Sequence, residues 1–190
     1  RASTVRANPS AGFSIVSFTA NGTAGTTIAH NLNAVPEFVV VKDREYAQNW
    51  QAYHGSLGGT KMFNWNTTDS VYTDAGGFNN TNPTSSVITL GNYSGYFGTN
   101  EMIAYCFAPV EGYSAMGSYT GNGSADGSFI YTGFKIAWLL TKRTHGGSND
   151  WQLIDASRSP SNVADDILKP NALKILVKYI RKNPKADFFF

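Results

Sequence analysis

The sequence predicts an all-β protein made of two tandem, related β-sandwich units, the second truncated or altered after Asn162. Three observations carry that expectation. The chain repeats itself: Gly12-Phe13-Ser14 returns as Gly112-Tyr113-Ser114, and Phe18-Thr19-Ala20-Asn21-Gly22 as Tyr119-Thr120-Gly121-Asn122-Gly123. Val39-Val40-Val41-Lys42 then faces Leu139-Leu140-Thr141-Lys142, and Asn49-Trp50-Gln51 faces Asp150-Trp151-Gln152, so the offset stays at 100 to 101. Short runs of β-branched and aromatic residues alternate with turn formers, which is the spacing of a sandwich or barrel. Finally, only 15% of residues are charged while glycine reaches 19, a balance that suits many strands and tight turns. Self-similarity at a fixed period marks a repeat architecture, so the domains are expected at 12–110 and 111–190.

In chain order, residues 1–11 read as an incoming linker closed by the turn signal Asn8-Pro9-Ser10. Strands are expected near 13–19, 37–42, 50–53, 61–65, 70–72, 86–90 and 102–108. Val39-Val40-Val41 and Ile103-Ala104-Tyr105-Cys106-Phe107 are apolar on both faces, as central strands are. Pro109 ends the unit, since proline cannot donate to a ladder. The second unit should hold strands near 114–119, 128–131, 137–142 and 151–155. After Asn162 the correspondence in sequence fails. Leu173, Leu176, Val177 and Ile180 fall at helical spacing with Lys174, Lys178, Arg181 and Lys182 opposite, which predicts an amphipathic helix packed on a sheet.

Composition excludes several classes. Residues 1–162 carry 9 Lys/Arg against 10 Asp/Glu, and residues 163–190 carry 6 against 3, so the body offers no electrostatic footprint for nucleic acid. Cys106 is the single cysteine, so no disulfide forms within the chain; inside an apolar strand it reads as a small core residue. No apolar run approaches a membrane span, and no signal peptide opens the chain. A start at Arg1 is expected of a piece of a longer polypeptide or a processed product. His30, His54 and His145 stand alone without ligand spacing, so neither a metal nor another cofactor is expected. Glu37 aligns with Ala137, and Asp43 and Glu45 read as exposed loop charge; no catalytic residue is expected.

Residues that recur in both units, such as Trp50 and Trp151, are expected to pack in matching buried positions. Binding is better sought where the units differ. The loop 43–49 with Tyr46 and its counterpart 143–150 with His145 join matched strands. The loop 91–100 holds Asn92, Tyr93, Tyr96 and Phe97 between glycines. Aromatic rings beside amides and hydroxyls can stack on sugars and bond their hydroxyl groups. The apolar stripe Leu173, Leu176, Val177 and Ile180, followed by Phe188, Phe189 and Phe190, is the expected oligomer interface, because such a stripe left bare is a liability.

The phrases NPSAGFSIVSFTANGTAG, PEFVVVKDR, NTNPTSSVITLG, AYCFAPVEGYS and SYTGNGSADGSFIYTGFKIAW resemble a repeat of bacteriophage tail-fibre and related virion proteins, notably of marine and cyanobacterial phages. In those proteins the repeat often accompanies a concanavalin-like lectin domain. The resemblance covers about residues 5–162 and brings no catalytic motif with it. It implies a virion location and a non-enzymatic role in a tail fibre or appendage. Implied partners are further copies of the chain in a trimer, other virion proteins and a host-surface glycan. A capsid decoration or tail-associated protein that binds no receptor is one alternative, and a polysaccharide depolymerase another.

Overall fold

The computed structural model describes residues 3–93, 98–124, 126–158, 160 and 166–171, together with the backbone of 177–178 and 188–189. The protein is all-β. It divides into two compact units, Arg1–Trp65 with Val71–Val110, and Asn66–Ser70 with Glu111–Phe190.

The first unit opens with β1 (Ser3–Asn8), β2 (Phe13–Thr19), β3 (Thr26–Ala29), β4 (Phe38–Asp43) and β5 (Gln51–His54). It continues with β6 (Lys61–Asn64), β7 (Tyr72–Thr73), a single helical turn α1 (Ala75–Phe78), β8 (Val87–Leu90) and β9 (Glu101–Phe107). Seven strands form one antiparallel sheet in the order β1-β2-β9-β4-β5-β6-β7, and β3 pairs separately with β8. The last strand of the unit, β9, is thus inserted between β2 and β4.

Alternation along these strands sends one set of side chains to each face. Val16, Phe18, Val39, Val41, Tyr53, Met62, Met102, Ala104 and Cys106 share a core with Ile28, Ile88, Leu90 and Phe78. The β3–β8 ladder and α1 therefore cover one face of the large sheet. The other face carries rings in neighbouring registers, with Phe38 meeting Phe107 at 5.8 Å, Phe63 at 6.4 Å and Trp65 at 5.7 Å. Each fully buried ring or aliphatic chain contributes about 1.5–3 kcal/mol.

The segment expected as a linker, 1–11, forms a strand and a hairpin connection from Ser3 onward. β1 pairs with β2 over six positions, from Ser3↔Phe18 to Asn8↔Phe13. Asn8 accepts a bond from the Ala11 amide at 3.2 Å and Gly12 adopts φ +64°, so Asn-Pro-Ser-Ala-Gly is a hairpin connection. Most of β1 is exposed, as an edge strand can be, and an exposed polar strand leaves no apolar alternation to read.

The second unit contains β10 (Gly117–Ser118), β11 (Trp138–Lys142), β12 (Gln152–Asp155), β13 (Asp166–Ile167), β14 (Val177–Lys178) and β15 (Phe188–Phe189). β10, β15, β11 and β12 form one sheet in that order, β13 pairs with β14, and a Leu153↔Leu168 bridge links the two ladders. This is the order β2-β9-β4-β5-β6-β7 again. The registers agree as well. Val41↔Gln51 corresponds to Thr141↔Gln152, and Ala52↔Phe63 to Leu153↔Leu168. Met62↔Tyr72 corresponds to Ile167↔Val177, and Lys42↔Ile103 to Lys142↔Phe188.

The repeat therefore resumes after Asn162, with offsets of 105 at β13 and β14 and of 85 at β15. The predicted helix gives way at Val177, which lies in β14 opposite Ile167. Apolar spacing alone did not reveal that a strand partner was available. Leu173, Leu176, Ile180 and Phe190 lie outside the described residues. The backbones of Phe188 and Phe189 are taken into the ladder of their own unit.

What the second unit lacks lies inside it. Residues 74–100, 27 in number, separate β7 from β9 and supply α1 and β8; only nine, 179–187, separate β14 from β15. The strand expected at 128–131 is not formed, and that expected at 114–119 shrinks to Gly117–Ser118. The tryptophans differ too. Trp151 is fully buried, whereas Trp50 is half-buried, stacked at 6.1 Å on Tyr105 and edge-on to Trp65.

Candidate functional site

The first loop, residues 43–49, is built on a buried carboxylate. Asp43 was expected to be exposed charge; it is 2% exposed. Its Oδ1 accepts from the amides of Glu45 (2.8 Å) and Tyr46 (3.0 Å), and its Oδ2 accepts from Asn100 Nδ2 (2.6 Å). The Lys42 ammonium donates to the carbonyls of Asp43 and Tyr46 at 2.6 and 3.0 Å. Tyr46 is thus held through both its amide and its carbonyl while its side chain stands 60% exposed. Arg44 pairs with Glu101 at 3.1 Å; both are half-exposed, so the pair fixes direction and adds at most about 1 kcal/mol. The signal in the sequence was an aspartate at a strand end followed by two loop residues, the pattern of an Asx turn.

The second loop starts pressed against α1. Asp74 caps the turn by accepting from the Gly76 amide at 2.7 Å. The amides of Gly91 and Tyr93 donate to the carbonyls of Gly77 and Gly76 at 2.6 and 3.1 Å. A methyl group on Gly91 would lie 2.1 Å from the Gly76 carbonyl oxygen, so only glycine fits. Tyr93 is 46% exposed and Asn92 is exposed beside it. Tyr96 and Phe97 lie outside the described residues. The far end of this loop meets the first loop through Asn100 and Glu101. Tyr46 and Tyr93 hang from separate anchors, one on β4 and one on α1.

The counterpart loop of the second unit inverts the charge. Arg143 replaces Asp43 and donates to the carbonyls of His145 (2.6 Å) and Gly146 (2.8 Å). Where Asp43 gathers loop amides, Arg143 gathers loop carbonyls. His145 is exposed, with Nδ1 2.7 Å from the Thr144 hydroxyl, and belongs to the other unit from Tyr46 and Tyr93.

Lys142 repeats the part of Lys42. Its ammonium donates to the Asn149 carbonyl and lies 5.8 Å from the centre of the Trp151 ring. It is 1% exposed, and burial pulls its pKa down to about 8 against the opposing charges of Asp150 and Asp69. A low lysine pKa is found at catalytic sites. Here both units place the lysine on loop carbonyls, so the arrangement belongs to the fold. Asp150 is bonded by Lys169 and Asn171, and the Lys169 bond leads in holding its carboxyl below the usual range.

Burial shifts the two units in opposite directions. Lys142 binds a proton less readily when folded, so its part of the stability is full above pH 10.5 and is lost as pH falls towards 8. Cys106 is pushed up to about 12 from 9.0 by burial, so its part is full below pH 9 and is lost as pH rises towards 12. Between pH 8 and 10 the second unit is expected to gain, and the first to lose, on the order of 1–2 kcal/mol. Urea denaturation read by Trp138 and Trp151 in a W50F/W65F background, and by Trp50 and Trp65 in a W138F/W151F background, measures each. Parallel shifts of both units would contradict this.

Among the described residues no three His, Cys, Asp or Glu side chains form a metal-binding group. His30 is buried, with Nδ1 accepting from the Leu32 amide and Nε2 3.1 Å from the Thr84 carbonyl; burial lowers its pKa. Among the described residues no helix is long and apolar enough to cross a membrane.

No curated protein and no solved structure matches the chain. One family model does, over residues 1–188, so it runs through both units and the resumed ladder of the second. The chain belongs to that family, whose description is Domain of unknown function (DUF7483).

Proposed function

We propose that this chain is a non-enzymatic structural component of a bacteriophage virion, part of a tail fibre or comparable appendage, that presents loops to a glycan of the host surface. The observation that carries the reading is Tyr46 on its Asp43 and Lys42 anchors, with Tyr93 on α1: exposed rings on backbones already fixed. Fixed rings lose little freedom on stacking against a sugar. The virion setting rests on the repeat phrases given above, which resemble phage fibre proteins. A homotrimer fits the same reading, since several weak sites on one rigid body gain avidity of roughly 10²–10⁴-fold.

Surface polysaccharides of candidate host bacteria, immobilised as a panel, provide the test. The purified chain is expected to bind at least one, and Tyr46→Ala and Tyr93→Ala each to weaken that binding about 3–10-fold with far-UV circular dichroism unchanged. Absence of binding across the panel, or shortening of the polysaccharide, would count against the reading.

A further inference from the structure

The two units treat one segment in opposite ways. In the first, β3 lies antiparallel to β8, with Ile28 opposite Ile88. Ile28 and His30 are both 0% exposed there. Their counterparts at the offset of 101 are Phe129 and Tyr131, which are 90% and 82% exposed. The same offset relates Ser17 to Ser118, in β2 and β10. The segment 128–131, Ser-Phe-Ile-Tyr, keeps the composition of a strand, rich in β-branched and aromatic residues. Among the described residues none pairs with its backbone in a ladder.

The spacing of the later strands differs in the same way. Nine residues stand between β14 and β15 where the first unit has 27, and α1 and β8 have no counterpart among the described residues. Among the described residues nothing takes the place of β8 over this segment, which keeps its large side chains, Phe129 and Tyr131, exposed. A segment of strand-forming composition with bare apolar groups, and with no ladder partner among the described residues, can serve as a template for strand addition.

We propose that residues 128–131 of the second unit accept an antiparallel strand from a different protein chain, in the place that β8 fills in the first unit. The first unit specifies the guest. It is extended over at least four residues, and apolar at alternate positions as Ile88 and Leu90 are, both 2% exposed or less. It carries small or hydroxyl side chains between them, as Thr89 does. A second copy of this chain is a poor donor. Its own β8 is already paired with β3, and lending it would uncover Ile28 and His30 to cover Phe129 and Tyr131. The acceptor strand does not depend on the virion reading, and glycan binding at Tyr46 and Tyr93 can fail without affecting it.

A synthetic peptide of residues 84–91, Thr-Ser-Ser-Val-Ile-Thr-Leu-Gly, serves as the probe on the full chain. Saturable binding by fluorescence anisotropy is expected, with new hydrogen-exchange protection at 127–132 and none at 26–29. Phe129→Asp, at a position too exposed to affect the fold, is expected to weaken binding about 10–100-fold. A peptide with Ile88 and Leu90 both changed to Asp should not bind. Failure to bind, or protection confined to 26–29, would overturn the proposal. Concentration-dependent protection of 127–132 without peptide would also overturn it, since a second copy would then be the guest.

Discussion

Phe78→Ala is expected to destabilise the first unit by about 3–5 kcal/mol. The ring is 1% exposed and lies 5.6 Å from that of Tyr53. It is the one large apolar side chain that a four-residue helix sends into the core, so little else holds α1 down. The turn has two glycines, Gly76 and Gly77, which oppose helix formation by about 1 kcal/mol each. They are there because Met62 and Tyr93 pass too close for a side chain. Removing the Phe78 ring should therefore free α1 as a unit. The amides of Gly91 and Tyr93 would lose their carbonyl partners, and Tyr93 its position. Urea denaturation followed by Trp50 and Trp65 fluorescence measures the loss. Under the glycan-binding proposal, affinity should fall by at least as much as in Tyr93→Ala. A cost below about 1 kcal/mol would mean that α1 is held by something other than this ring.

Trp151→Ala should have a comparable effect on the second unit, about 3–5 kcal/mol, whereas Trp50→Ala should cost the first unit clearly less. The two residues precede matched strands, yet only Trp151 is fully buried and lies beneath the Lys142 ammonium. Its amide donates to Asn171 at 2.9 Å, and Asn171 in turn bonds Asp150. Trp50 is only partly buried, where it packs against Tyr105 and Trp65. Among the described residues of the second unit, Leu140 and Trp151 are the buried apolar side chains, so the loss of either should weigh heavily on it. Calorimetry of the two variants gives the comparison. Equal costs would mean that the repeat is symmetric in energy as well as in register.

Reading the sequence recovered what the repeat makes visible. β4 with β5, and β11 with β12, were legible because matched apolar blocks flank a matched tryptophan. Three kinds of element were not. β1 is polar and exposed, so its only signal is backbone pairing with β2. α1 contains Gly-Gly, which argues against a helix unless close neighbours demand it. β13 and β14 lie where side-chain identity has diverged while register has not: Phe63 became Leu168 and Tyr72 became Val177. Of the candidate site, the exposed Tyr46 and Tyr93 were legible as rings in loops that differ between units. Their anchors were not, since Asp43 and Asn100 meet across 57 residues of chain.

The placement of β9 has a consequence for synthesis. β2 and β4 flank a slot that only β9 fills, and β9 is the last strand of its unit to be made. The Phe13↔Phe107 pairing joins the two ends of the unit, a topology of high contact order and slow closure. At ~5–20 residues per second, β2 waits for roughly 5–20 s after its own translation before β9 has been translated. Throughout that interval β2 can pair only with β1, and the β9-facing edge of β4 is open. The β1 hairpin, residues 3–8, can close one edge of β2 as soon as both strands are made, so a single edge of β2 stays open until β9 arrives.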